Sequence, residues 1–351
     1  MVGWFRSRRC GPIGVDLGTR AVKLVQLSAD GSAMIESARE EINAAENADA
    51  SARRAAVTQA LRRAREGRAF QGRRAVLCVG AGKLFVQNLR VPRVPAGELE
   101  QVVRQEVEGR LPFPGPEAEV RFLEGCEVRH VDGPRREVIA LACHRAYLDE
   151  LLHMVEEAGW EPVAIDVEPA ALLRCYAAQY RRDQDREQRM MLVNMGASST
   201  GVVIAQGRQA IFAKYVDVGG RHLDEAVAKS LDLPLHEAAA LRRHHGDRRA
   251  ENQDPEVART VTDATRPCLD RLTHELSLCI RYYSVTFRGQ PLARLVLGGG
   301  EATLQLAQML AARLDLLCEL GDPLRACQRV AAVGRRTQWD VAMGLALRLD
   351  C

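Results

Sequence analysis

Residues 13–25 read Ile13-Gly14-Val15-Asp16-Leu17-Gly18-Thr19-Arg20-Ala21-Val22-Lys23-Leu24-Val25, and residues 191–203 read Met191-Leu192-Val193-Asn194-Met195-Gly196-Ala197-Ser198-Ser199-Thr200-Gly201-Val202-Val203. Each stretch is an apolar strand with a polar residue near its end, a turn of glycine and small or polar residues, and a second apolar strand. Val15, Gly18, Leu24 and Val25 fall opposite Val193, Gly196, Val202 and Val203, and Asp16 falls opposite Asn194. Two such hairpins on two half-chains predict similar lobes facing across a cleft, where turn amides grip one polyphosphate from both sides. Glycine lets the backbone come close to a ligand because no Cβ intrudes. The Thr19 hydroxyl and Lys23 ammonium add donors on one side, and Ser198, Ser199 and Thr200 add them on the other. A carboxylate at Asp16 would face metal-bound water, whereas the Asn194 amide offers a metal no charge and accepts no proton.

A third glycine element, Leu295-Val296-Leu297-Gly298-Gly299-Gly300, is a buried strand running into three glycines and a helix, a cradle for a flat ring or ribose. Neither a Walker A loop nor a G-x-G-x-x-G fingerprint is present, which removes support for those folds.

The chain has 351 residues, enough for two cores. Its 49 basic and 46 acidic residues leave a net charge of +3, too balanced for a nucleic-acid footprint. The longest apolar runs, such as Val138 to Cys143, fall far short of a bilayer span. The start, Met1-Val2-Gly3-Trp4-Phe5-Arg6-Ser7-Arg8-Arg9, lacks the apolar core of a signal peptide; it reads as a frayed terminus, with a weak contact to anionic lipid or a partner as the alternative. Ten scattered cysteines with no C-x-x-C pair read as reduced thiols. Cys143-His144 and His244-His245 have no companion pair at zinc spacing, so no structural zinc is expected.

The element order is α/β. Strands are expected at 12–27 (as a hairpin), 33–42 and 74–79, with a helix at 50–66. A β-α-β-β-α run over about 85–160 suggests a small inserted subdomain, interrupted by Leu111-Pro112-Phe113-Pro114-Gly115-Pro116, whose prolines forbid a continuing helix. A strand at 163–167 and a helix at 169–180 lead to the charged stretch 181–189, read as a solvated linker and domain boundary. The first domain is therefore 1–184 and the second 185–351, the latter with a smaller subdomain at about 222–290. Within it, helices are expected at 223–231, 235–244, 257–287, 303–314 and 337–349.

These motifs together resemble the actin-like nucleotide-binding superfamily and, more narrowly, the PilM family of type IV pilus assembly proteins. The narrower likeness rests on Leu89-Arg90-Val91-Pro92 with an acidic helix leading to Leu111-Pro112-Phe113-Pro114, on Val163-Ala164-Ile165-Asp166-Val167-Glu168-Pro169, on Gly219-Gly220, and on Gly344-Leu345-Ala346-Leu347-Arg348. The resemblance implies a two-domain actin-like (RNase H-like) ATPase fold with an FtsA-like inserted subdomain, and ATP with Mg2+ in the interdomain cleft. It implies a cytoplasmic scaffold under the inner membrane, of a pilus or a related type II secretion platform. That scaffold would hold the N-terminal peptide of a PilN-like membrane protein beside the inserted subdomain. By motif position, Asp16, Gly18, Thr19, Arg20 and Lys23 would form the first phosphate loop, with Asp16 toward the metal. Asn194, Gly196, Ala197, Ser198, Ser199 and Thr200 would form the second. Gly298, Gly299 and Gly300 would hold the adenosine, with Arg242 near ribose or base. Against the family pattern, Asn194 replaces Asp, Asp224 replaces Thr, Ala239 replaces Glu and Arg242 replaces Lys. These departures predict weak or absent hydrolysis and weak magnesium binding. Two other readings within the superfamily are a small-molecule kinase and an FtsA-like filament former. The kinase requires an acceptor-activating base for which no extra acidic motif is found.

Overall fold

The computed structural model describes residues 10–44, 48–130, 133–179, 187–247, 254–287, 289–328 and 333–349. The aromatic and basic start, most of the charged linker and much of the polar loop before Pro255 lie outside these.

The first glycine stretch folds as β1 (Cys10–Leu17) and β2 (Ala21–Ser28), followed by β3 (Met34–Glu41). Helix α1 (Ala50–Arg63) starts where the Asp49 carboxylate accepts the Ala52 amide at 2.7 Å, and it ends on Arg62 and Arg63, which suit its C-terminal dipole. Strand β4 (Arg74–Val79) and, later, β8 (Glu161–Val167) complete a sheet in the order β3-β2-β1-β4-β8. The second half repeats this plan. Its strands are β9 (Arg189–Met195), β10 (Thr200–Gln206), β11 (Gln209–Val216), β12 (Arg294–Gly298) and the three-residue β13 (Cys318–Leu320). They pair in the order β11-β10-β9-β12-β13. In both sheets the first three strands pair antiparallel and the last two join in parallel. The register matches too, since Asp16 stands opposite Lys23 and Asn194 opposite Gly201. The internal repeat read in two turns is therefore a repeat of whole sheets.

Between β4 and β8 lies a three-stranded antiparallel sheet, in the order β5-β7-β6, of β5 (Phe85–Pro92), β6 (Ala118–His130) and β7 (Gly133–His144), covered by α2 (Ala96–Glu108). Leu99, Val103 and Val107 of α2 pack on Leu89, Val91 and Val120 in a core of their own. The segment 145–158, grouped with this subdomain in the sequence, packs elsewhere. Helix α3 (Arg145–Glu157) sends Leu151 and Val155 into the core beneath β1 and β4, because those residues share its one apolar face. The inserted sheet itself leans on the second half. Asn88 exchanges two hydrogen bonds with the backbone of Ala213 on β11, at 2.8 and 3.0 Å, so the edge of the second sheet is covered.

The second half adds α5 (Gly220–Leu231), α6 (Leu235–Asp247), α7 (Pro255–Thr286) and α8 (Leu304–Leu314). Helix α7 continues through Pro267. The final helix α9 (Asp340–Ala346) is much shorter than the 337–349 expected, since a 3-10 turn takes 336–339. Arg189, assigned to the solvated linker in the sequence, is instead the buried first residue of β9. Its guanidinium lies over the rings of Tyr283 and Phe287, at 5.8 and 5.1 Å from their centroids, a cation–π placement that composition does not reveal.

Helix α4 (Glu168–Ala177) and α9 bind the halves together. Their residues share one core with Val25 and Val76 of the first sheet and Leu192, Val203 and Val296 of the second. They cross so closely that a Cβ on Gly344 would overlap the Ala171 carbonyl, and one on Gly14 would overlap the α9 backbone at Ala342. Replacing Gly344 by Val should therefore destabilise the protein by about 3 kcal/mol or more, since backbone and not a movable side chain must shift. Urea unfolding monitored by circular dichroism measures this, and an unchanged midpoint would show that the crossing is not tight.

Candidate functional site

The two glycine turns meet. Thr19 Oγ1 and Ser198 Oγ lie 2.9 Å apart, joining the hairpin tips across 179 residues of chain. Under and beside them opens a cavity of about 810 Å3, within the rough 300–1,000 Å3 range of small-ligand sites. Asp16, Gly18, Thr19, Arg20 and Lys23 line it from the first half, and Asn194, Gly196, Ala197, Ser198, Ser199 and Gly300 from the second. Eleven of the fifteen residues expected at a nucleotide site thus reach one cavity.

The other four are placed differently. Thr200 is fully buried and gives its hydroxyl to the Val218 carbonyl at 2.7 Å. A Cβ on Gly298 would overlap the Asp340 carboxylate, so that glycine serves internal packing. Gly299 has φ +94°, and a Cβ there would strike the Asn194 side chain and the Met195 backbone. Arg242 stands behind the cavity wall, bonded to Asp224 Oδ1 at 2.7 Å and to Glu301 Oε2 at 2.8 Å. The glycines at the hairpin tips are demanded first by the turns. A Cβ on Gly18 would come 2.8 Å from the Ala21 carbonyl oxygen, and one on Gly196 would come 3.1 Å from that of Ser199.

The second turn is oriented by α5. The amides of Gly220 and Arg221 donate to the carbonyls of Gly196 and Ala197, at 3.0 and 2.7 Å. Gly219 permits this approach, since a Cβ there would sit 2.7 Å from the Ser199 nitrogen. With the carbonyls turned toward the helix, the amides of Ala197, Ser198 and Ser199 have no protein acceptor among the described residues. Such a group of free turn amides favours an anion.

The sequence reading missed several lining residues. Arg53 donates to the Thr19 carbonyl at 2.6 Å, Lys83 lies over the Tyr147 ring at 5.7 Å, and Arg243 bonds the Ala239 carbonyl at 2.9 Å. These come from three distant segments, and no short-range spacing flags them. Glu168 was legible as part of the quoted motif Val163 to Pro169, and Glu301 directly follows the triple glycine, but neither was read as a cavity group.

Two charge clusters shape the site. In the first, Arg20 reaches across from the first hairpin to Glu301 at 2.6 Å and to Asp224, both also held by Arg242. Burial works against these charges, but the paired arginines outweigh it and hold the Glu301 carboxyl below its usual range. Burial likewise opposes the Arg242 charge, and Glu301 and Asp224 more than offset it. Arg20 was expected on phosphate; here Glu301 and Asp224 of the second half neutralise it.

In the second cluster, Lys23 Nζ donates to Asp16 Oδ2 at 2.5 Å and to the Gln338 carbonyl at 3.1 Å. Burial pulls the lysine pKa down, yet Asp16 and then Asp340 carry it above its ordinary value. Glu168 borders the cavity beside Gly201, and burial followed by repulsion from Asp16 pushes its carboxyl up to about 8. Asp340 rises to about 7, mainly through burial. The Glu168 acid is therefore mostly protonated at neutral pH.

The profile of the family described as type IV pilus assembly protein PilM matches residues 14–350. The chain belongs to the PilM family. The structure of a PilM-PilN type IV pilus biogenesis complex superposes with a TM-score of 0.79 at 24% identity, covering 97% of this chain and 99% of that one. Ethanolamine utilization protein EutJ from Carboxydothermus hydrogenoformans follows at 0.57 and 16% identity, covering 96% and 89%. MreB5 of Spiroplasma citri bound to ADP gives 0.51 and 12% identity, covering 96% and 95%. The fold is the two-lobed actin-like one. Among the described residues no helix is long and apolar enough to cross a membrane.

Two predictions follow from this PilM-family site. Arg242→Met leaves two buried carboxylates with only Arg20 and should cost about 3 kcal/mol. Arg20→Met should cost roughly 1 kcal/mol, since Arg20 is partly solvated and Arg242 still serves both acids. Chemical denaturation ranks them, and equal costs would show that Arg20 and Arg242 contribute alike.

The buried acids set a pH dependence. Glu168 and Asp340 have unfolded references of 4.5 and 3.8 and folded values of about 8 and about 7. The folded state therefore holds protons that the unfolded chain releases. Their contribution to stability is full below pH about 4 and lost as pH rises toward 8. Unfolding free energies at pH 5.5 and 8.5 should fall for the wild type, and fall less for Glu168→Gln. A slope unaffected by that change would exclude Glu168 as its source.

Proposed function

We propose that the chain is a nucleotide-binding scaffold of a type IV pilus assembly platform, or of a related secretion platform, with negligible ATP hydrolysis. The observation that carries the nucleotide reading is the convergence of both glycine turns on one cavity that, among the described residues, eight basic side chains line, with three amides of the second turn that have no protein acceptor there. An adenine nucleotide is supported by the actin-like fold and by its size against the cavity, and a relative of that fold, MreB5, carries ADP.

The scaffold reading follows from what the cavity lacks. Activating water for attack on a γ-phosphate needs a base or a metal-held nucleophile. Asn194 is neutral and Asp16 is bound to Lys23. Glu168, protonated near pH 7, is a poor base there. Family membership and the PilM-PilN complex support a PilN-like partner engaging the region beside the inserted sheet through its N-terminal peptide. In that setting the chain works at the cytoplasmic face of the inner membrane, held there by its partner.

Calorimetric titration with ATP should give one site per chain, with phosphate release indistinguishable from a protein-free blank. Turnover well above that blank would overturn the reading of Asn194. A synthetic N-terminal peptide of the matching PilN-like protein should bind the intact chain, and failure to do so would remove the partner.

A further inference from the structure

The metal that the fold implies does not suit these residues. Magnesium at a phosphate site is held by one or two carboxylates together with phosphate oxygens and waters. Among the described residues, four carboxylates line this cavity, Asp16, Glu150, Glu168 and Glu301. Asp16 is bonded to Lys23 at 2.5 Å, Glu301 carries Arg20 and Arg242, and Glu150 pairs with Arg54 at 3.4 Å. Glu168 is half-buried, accepts the Tyr215 hydroxyl at 3.4 Å and holds its proton up to about pH 8. Among the described residues, no group of three histidines, cysteines or acids is arranged to hold an ion.

The duplicated hairpins show how the difference arises. In the first, the strand-end acid faces a lysine across the ladder, Asp16 opposite Lys23. In the second, the equivalent pair is Asn194 opposite Gly201, which carries no charge at all. One hairpin thus supplies its own internal cation, and the other supplies nothing that attracts an external one. Asn194 is also committed sterically, since its side-chain oxygen fills the space beside Gly299.

We propose that this cleft takes its nucleotide as the free polyphosphate anion, with Arg53, Lys83 and Arg243, which pair with no carboxylate among the described residues, supplying the positive charge that a divalent cation supplies in a metal-dependent site. The inference rests on the nucleotide reading above and adds the ionic form of the ligand. The Lys23 ammonium is fixed by Asp16 and the Gln338 carbonyl on two sides and retains a third donor for phosphate. Charge from arginine and lysine neutralises the anion without a coordination shell that must be built and desolvated. Magnesium would then compete, because it withdraws charge from the phosphates before they reach the cleft.

The test is calorimetry of the full chain with ATP, once in excess EDTA and once in excess magnesium. The wild type should bind ATP about threefold or more tightly in EDTA than in magnesium. The Asn194→Asp variant, which places a carboxylate opposite Asp16, should reverse this preference. Binding in magnesium that disappears in EDTA would overturn the inference while leaving the nucleotide reading intact. An Asn194→Asp variant that still favours EDTA would overturn the assignment of the preference to Asn194. Absence of heat under both conditions, with the fold verified by circular dichroism, would overturn the nucleotide reading itself.

Discussion

The crossing of α9 over α4 is the contact on which the rest of the molecule depends. Gly344 lies against the Ala171 carbonyl with no space for a side chain, and Gly14 admits the other side of α9 to β1. Because backbone meets backbone there, the distance between the two sheets is fixed at their base, and the interior resists compression. Away from that crossing, the halves also meet at the hairpin tips, through the Thr19–Ser198 contact and the Arg20 bridge to Asp224 and Glu301. The C-terminal segment therefore sets the geometry of a site formed mostly by residues hundreds of positions away.

Duplication gives the site two similar walls, and divergence makes them electrically unequal. Matched register puts Asp16 and Asn194 at equivalent points, but only Asp16 has a charge and a counter-ion. The second wall offers amides and hydroxyls instead. An anion between them is attracted by charge on one side and by oriented dipoles on the other. The buried acids below, Glu168 and Asp340, avoid adding repulsion at neutral pH by retaining protons, at a cost in stability that grows as the solution becomes basic.

Much of this was legible in the sequence for a physical reason. Strand–glycine–strand patterns are local, so the two hairpins, their pairing and the third strand before Gly298 could be read directly, and the family motifs supplied the fold. What was not legible depends on distance in the chain. Arg53, Lys83 and Arg243 line the cavity from helices and turns whose local pattern is that of any solvated surface. Arg242 and Arg243 are neighbours, and only the direction of the helix face decides that the first braces Asp224 and the second faces the cavity. The triple glycine looked like a ligand cradle, yet two of its members make room for Asp340 and Asn194. Strand β13 escaped notice because three residues with a central glutamate carry no periodicity. Arg189 escaped because a charged residue in a charged run gives no hint of the two rings beneath it.

The Arg20 bridge changes what a bound ligand can accomplish. A ligand shifts a conformational equilibrium only by the difference in its affinity for the two states. In a cleft whose lobes touch only through the ligand, that difference is large. Here Arg20, from the first half, already binds Asp224 and Glu301 of the second, and Thr19 already meets Ser198. The closed arrangement is therefore populated by the protein's own ion pairs, and an arriving anion gains little additional closure. Its larger effect is local, since it would compete for the Arg20 guanidinium and satisfy the amides of the second turn. That distribution of energy describes a cleft that is held closed with or without an anion, and it differs from one whose lobes open and close with each ligand.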